Sequence, residues 1–308
     1  MRTRFPSSLR GGLAVVALAV LFAATATETQ AAKLTASDVE AGAQVKGRAE
    51  TGPFPNLSAG GYTTCPTGTR VFGGGAAFDD DEVGWVTSSS PTFSGDGWYA
   101  HGFRIGEDAT VIKTRMSCLP AAKLAGSKLA TDTGKPDAGG FTKARAECPG
   151  NTRVYTGGAF ISRQGNPNGP DLSVVSDAAP SVSAALRDGS GWTAAASSDS
   201  DSVQLTAVAH CLAPKRLGDL ERVEATYRTT RRDTVKSPYL DCGPGGQVIA
   251  APGASWQQAG DAPNRASTSK TFLAGLVNFV DSFRLSSIVH DNEGRPPLEL
   301  TVSAFCLS

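Results

Sequence analysis

Six cysteines, three histidines and two tight groups of carboxylates carry the most reactive side-chain chemistry in this chain. The cysteines form three pairs of similar separation: Cys65 with Cys118, Cys148 with Cys211, and Cys242 with Cys306. A zinc knuckle needs two cysteines a few residues apart, a spacing absent here, and an exported chain oxidises its thiols. Disulfides are therefore the expectation, with no metal and no other cofactor. Hydrolysis needs a nucleophile with a base in reach. His210 falls on the outward side of a strand beside Cys211, and His101 follows the Trp98 strand at a surface position, so both read as solvated or hydrogen-bonded. His290 precedes Asp291, which could orient its ring, yet no Gly-x-Ser-x-Gly elbow supplies a serine. Ser88, Ser89 and Ser90 before Pro91 read as a strand end. An enzyme is not expected.

The acidic groups Asp79-Asp80-Asp81-Glu82 and Asp199-Ser200-Asp201 have the oxygen density that attracts Ca²⁺ when a loop wraps to give six or more ligands. Neither fits an EF-hand loop, and solvated loops are the expectation. Arg228, Arg231 and Arg232, with Glu224 and Asp233 nearby, read as a solvated strand face rather than a site for an anionic polymer. Trp98 and Trp192, each preceded by glycine, leave two readings: a ring capping a small core, or a platform on which a sugar stacks. The core reading is expected, and the two rings are the only ligand-stacking candidates.

What must position these residues is a threefold internal repetition. Each copy opens with a turn: Cys65-Pro66-Thr67-Gly68-Thr69-Arg70-Val71, Cys148-Pro149-Gly150-Asn151-Thr152-Arg153-Val154, and Cys242-Gly243-Pro244-Gly245-Gly246-Gln247-Val248. Gly68, Asn151 and Gly245 stand three residues after the cysteine and are the residues expected to take positive φ. A phosphate-cradling loop is the alternative, but no Lys follows and no helix pattern opens. A glycine-rich strand comes next, with Gly73, Gly74 and Gly75 in copy one and Gly157 and Gly158 in copy two, marking a bulge or a close backbone approach. Copy three has Ala250, Ala251, Pro252 and Gly253 there and reads as drifted. The aromatic strand follows as Gly97-Trp98 and Gly191-Trp192, with Phe283 its nearest counterpart in copy three.

The closing strands alternate with period two. Ile112, Thr114 and Met116 lead to Cys118; Leu205, Ala207 and Ala209 to Cys211; Leu300, Val302 and Ala304 to Cys306. Such alternation predicts half-buried strands with the sulfur facing inward. Six cysteines allow 15 pairings, of which two treat every copy alike. Pairing within copies needs nothing further, whereas pairing across copies needs Cys306 to return to Cys65, so the first is expected. Residues 44–47, 127–131 and 222–226 predict an added strand at the start of each copy.

The composition agrees with an exported all-β protein. Arg2, Arg4 and Arg10 precede an apolar run from Leu13 to Ala24, and small residues follow at Ala26 and Ala31, as in a signal peptide cleaved after one of the two. That run is too short for a bilayer, which needs about 20 helical residues. The formal charge of zero turns slightly negative once the three leader arginines leave, which argues against nucleic acid and anionic lipid as partners. The 35 glycines and 18 prolines predict many turns between short strands.

The Cys-Pro-x-Gly turn, the Gly-Gly strand, the Gly-Trp and the closing Ala-x-Cys strand resemble a repeat of uncharacterised secreted proteins from high-GC bacteria, for which no function is implied. A weaker resemblance is to the vitelline membrane outer layer proteins, which implies a three-sided β-prism with cysteines, turns and glycine-rich strands in triplicate. The expected organisation is a signal peptide over 1–31 and β repeats over 38–120, 121–213 and 214–308, each a small antiparallel sandwich with one disulfide; a single β-prism is the alternative. The expected role is non-catalytic, structural or binding, at the cell exterior, where a glycan or a protein is the partner class. A lectin or an exported hydrolase is the rival.

Overall fold

The computed structural model describes residues 32–50, 58–78, 84–104, 111–138, 140–163, 179–197, 202–229, 239–242, 248–258, 271–278, 282–289 and 298–307. Residues 1–31, the two acidic groups, residues 243–247 of the third opening turn, Arg231, Arg232, His290 and Asp291 lie outside the described residues.

The described chain is almost entirely strand, the class its turn-rich, alternating sequence predicts. The first segment holds β1 (Ala43–Glu50), β2 (Ser58–Thr64), β3 (Thr69–Phe78), β4 (Gly84–Pro91), β5 (Gly97–Arg104) and β6 (Val111–Pro120). The second holds β7 (Lys128–Gly134), β8 (Phe141–Glu147), β9 (Arg153–Arg163), β10 (Ala179–Ala185), β11 (Gly191–Ser197) and β12 (Val203–Leu212). In the third stand β13 (Leu220–Thr229), β14 (Tyr239–Asp241), β15 (Val248–Gln258), β16 (Thr271–Asn278), β17 (Ser282–Val289) and β18 (Leu298–Leu307). A short helical piece precedes each segment: α1 (Ala36–Glu40), a 3-10 turn at Ala121–Leu124, and α2 (Pro214–Leu217).

Every segment pairs its strands in the same way. The first, sixth and third form one half-sheet (β1-β6-β3, β7-β12-β9, β13-β18-β15), and the second, fifth and fourth form the other (β2-β5-β4, β8-β11-β10, β14-β17-β16). The expected added strands are thus β1, β7 and β13, each beside its own closing strand. The two halves of a segment do not share a sheet. Instead β3 pairs with β16, β9 with β4, and β15 with β10, so three six-stranded sheets each combine strands of two segments.

These crossings are narrow, with Ala77 opposite Gly275, Ala159 opposite Ser89, and Ala254 and Ser255 opposite Ser183 and Val182. Glycine makes room for them. A Cβ on Gly158 would overlap the backbone of Ser89 and Ser90, and one on Gly253 would stand 2.6 Å from the Ser183 carbonyl oxygen. Gly253 therefore keeps this close approach even though the rest of its strand has lost the glycines. The third strands of the three segments also touch one another, β3 with β9 and β15, and β9 with β15.

The disulfides form within segments: Cys65–Cys118, Cys148–Cys211 and Cys242–Cys306. Because the opening cysteine follows the second strand and the closing one sits on the sixth, each bridge joins two different sheets, and the three bridges tie all three pairs of sheets. Between the halves of the first segment lie Val71, Trp98, Met116 and Cys118, with a second apolar cluster around Phe78 and Ile112.

Expectations about strand faces and about one turn need correction. Strand β6 alternates as predicted from Ile112 to Met116, with Lys113 exposed between buried Ile112 and Thr114, but Ser117 on the outward side is buried. Strand β12 is buried on both faces, because the outward side of its sheet is covered as well. In the second opening turn it is Gly150, at φ +62°, that takes the left-handed region rather than Asn151. Glycine meets no Cβ penalty there, whereas asparagine does. In the first turn Gly68 takes φ +82° as expected.

Candidate functional site

The glycine-tryptophan pairs are the residues where a ligand-stacking role was sought, and burial decides against it. Trp98 is 2% exposed and Trp192 is 0% exposed. A ring so enclosed has no face to offer a sugar, so the stacking reading is withdrawn for both. Each indole lies over a glycine of its segment's third strand: a Cβ on Gly74 would stand 2.6 Å from Trp98 Cε3, and one on Gly157 would stand 2.5 Å from Trp192 Cδ2. This explains Gly74 and Gly157, one glycine in each run. The glycine before each tryptophan faces a carbonyl of the second strand, Thr63 O for Gly97 and Ala146 O for Gly191, where a side chain would collide.

Burying an indole leaves one N–H to satisfy. Trp98 Nε1 donates to Ser89 Oγ at 3.0 Å and Trp192 Nε1 to Ser183 Oγ at 3.1 Å. The serine stands nine residues before its tryptophan in both segments, a recurrence present in the sequence but hidden among neighbouring serines. Backbone register extends the equivalence. Trp98 is opposite Thr63, Trp192 opposite Ala146 and Phe283 opposite Leu240, each partner two residues before an opening cysteine. Phe283 thus occupies the tryptophan position of the third segment, as its place in the sequence suggested.

The histidines expected at the surface are both enclosed. His101 is 2% exposed, and its Nδ1 shares a hydrogen bond of 2.6 Å with Thr87 Oγ1. His210 is 4% exposed, because the turn between β4 and β5 of the first segment folds over it and its Nε2 meets the Thr92 carbonyl at 2.8 Å. Period-two reasoning placed its side chain on the outer face correctly. What it lacked was the neighbouring segment's turn covering that face. Burial chiefly lowers the His210 pKa from its ordinary value; the Thr92 carbonyl raises it, and Arg70 lowers it further. Ser88, Ser89 and Ser90 lie in β4 and are buried, with Ser88 Oγ accepting the Ile161 N–H across the sheet crossing. Ser88 serves the crossing and Ser89 the indole.

Two carboxylates brace turns. Hydroxyls of Ser94 and Thr92 hold Asp96 below the usual carboxylate range, and Ser190 does the same for Asp188. Among the described residues no group of three or more His, Cys, Asp or Glu is placed to hold a metal ion.

One aromatic side chain stands out at the surface. Tyr62, on edge strand β2, is 65% exposed and lies 6.1 Å from the Tyr99 ring. Beside it a shallow cleft of about 30 Å³ opens between β1 and β2, bordered by Arg48, Thr63 and Thr114. Three residues before the opening cysteine, where the first segment has Tyr62, the second has Arg145 and the third Tyr239.

No protein-family model matches the chain, and no curated protein matches it. All six cysteines are oxidised, which points to an oxidising, extracellular environment. Among the described residues no helix is long and apolar enough to cross a membrane.

Proposed function

We propose that this is a secreted, non-catalytic repeat protein whose braced sheets serve a structural or binding role at the cell exterior. The observation that carries the reading is the disulfide pattern: each bridge joins a different pair of sheets, so the scaffold is fastened where reducing conditions would loosen it. The recurring strand order, turns and indole seats support descent from one repeated unit. The apolar leader and its small residues support export. His101 and His210 are taken up by a threonine hydroxyl and a backbone carbonyl, which supports a non-catalytic role. The test is expression with the native leader, followed by fractionation, N-terminal sequencing and thiol counting. Mature protein outside the cytoplasm, starting at Thr27 or Ala32 with no free thiol, is expected. Retention inside with free thiols defeats the reading, as does hydrolytic turnover that His290→Ala abolishes.

Carbohydrate binding is the second reading, now carried by the exposed Tyr62 ring rather than by the tryptophans. Glycan-array binding that Tyr62→Ala removes, with the far-UV spectrum unchanged, would favour it.

A further inference from the structure

The β4–β5 turn of the first segment and the β10–β11 turn of the second are held by the same four backbone hydrogen bonds. In the first, Cys65 N donates to Asp96 O, Val71 N to Gly95 O, Thr92 N to Gly97 O and Gly95 N to Thr92 O. In the second, Cys148 N donates to Ser190 O, Val154 N to Gly189 O, Leu186 N to Gly191 O and Gly189 N to Leu186 O. Each turn also leans on the residue before the closing cysteine of the next segment. A Cβ on Gly95 would stand 3.2 Å from His210 Cε1, and one on Gly189 would stand 3.4 Å from Phe305 Cζ.

The two junctions differ in what reaches the first carbonyl of the turn. Thr92 O meets His210 Nε2 at 2.8 Å, whereas the matching Leu186 O accepts from Arg222 Nη1 at 3.4 Å. Arginine stays charged at every accessible pH, and phenylalanine does not titrate. One junction is therefore pinned by a side chain that can take up a proton in acid, and the other is not.

We propose that His210 is an acid-sensitive latch: when its ring becomes an imidazolium, the β4–β5 turn of the first segment is released, while the β10–β11 turn of the second stays in place. The step is protonation alone, with the proton drawn from solvent. The carbonyl bond already uses the Nε2 proton, so the incoming proton goes to Nδ1, which faces Gly95. The charged and titratable groups on the elements packed around the ring are Asp96 in the turn, Arg70 on β3, Tyr155 on β9, and Lys128 on β7 beside Leu129, which lies opposite His210. The Asp96 carboxylate is bonded to Thr92 and Ser94, and Arg70 donates to the Ser94 carbonyl, bringing a second positive charge to the turn. A buried imidazolium beside a guanidinium gains by opening to water. Opening restores an ordinary histidine, whose reference value here is 6.5, so acid favours the open turn below that pH.

The experiment is hydrogen–deuterium exchange on the native chain at pH 7.5, 6.5, 5.5 and 4.5, with protection corrected for the pH dependence of intrinsic exchange. Protection at Val71, Gly95 and Cys65 should fall on the order of tenfold per pH unit below 6.5 and level off once the enclosed ring itself takes up the proton, while Val154, Gly189 and Cys148 keep theirs. His210→Phe, which copies Phe305, should make the two turns behave alike; His210→Gln, which keeps an N–H for Thr92 O, does the same if the phenylalanine variant fails to fold. Equal pH profiles for the two turns in the native chain would overturn the proposal. So would a difference that persists in the variants.

Discussion

Replacing Gly157 by alanine puts a methyl group where the Trp192 ring lies, 2.5 Å from Cδ2 and 2.8 Å from the Val208 carbonyl oxygen. The methyl cannot turn aside, since a Cβ position is fixed by the backbone, and the carbonyl belongs to the paired strand. Either the indole is pushed off its seat or β9 and β12 separate. Overpacking of this kind costs about 1–3 kcal/mol. If the ring shifts enough to break the Nε1 bond to Ser183, an orphaned buried donor adds about 1–3 kcal/mol. We expect Gly157→Ala to destabilise by about 2–4 kcal/mol in urea unfolding followed by far-UV circular dichroism with the disulfides intact. Gly61→Ala is the control, because nothing lies within 4 Å of its Cβ position. That change should be neutral or stabilising by up to about 1 kcal/mol, by restricting the unfolded chain. Equal unfolding midpoints for the two variants would refute the argument that Gly157 is needed to seat the indole.

Ser183→Ala leaves the Trp192 Nε1 without its acceptor and should cost about 1–3 kcal/mol, read by the same unfolding assay. Replacing Cys148 and Cys211 together by alanine opens a loop of 63 residues and should cost about 4 kcal/mol, seen as a lowered urea midpoint. Burial pushes the Tyr155 pKa up to about 12, partly offset by the Ser127 hydroxyl, so its native state holds the proton longer than the unfolded state does. The contribution is complete below the unfolded value of 10.0 and is lost as pH rises toward 12, a fall Tyr155→Phe should remove from the alkaline stability profile. The Lys123 ammonium holds Asp38 below its ordinary 3.8, a contribution present above that value and lost as pH falls through the depressed one. Lys123→Ala should flatten this acid limb.

Much of the fold is legible in the residues because it depends on local chemistry. Period-two alternation ending in Cys118, Cys211 and Cys306 marks the sixth strands, and the repeated spacing marks the partner of each cysteine. Where reading failed, the missing information lay in another segment. His210 carries no sign in its own strand that residues 92–96 will cover it, and β12 alternates as though one face met water. Asn151 failed for a nearer reason: an adjacent glycine takes the positive φ at lower cost. Tyr62 was missed because nothing along the chain marks β2 as an edge strand that leaves this ring open to solvent.

The sequence by itself determined an all-β chain, a threefold repetition of turn, glycine-rich strand and closing strand, and a disulfide inside each copy, since hydrophobic period, turn residues and cysteine spacing are properties of neighbours along the chain. Only the tertiary structure decided that the halves of each segment enter different sheets, that Gly158 and Gly253 mark the crossings, and that both tryptophans face inward. Those outcomes depend on which apolar faces meet, and an isolated strand presents the same alternation to solvent, to its own segment or to the next.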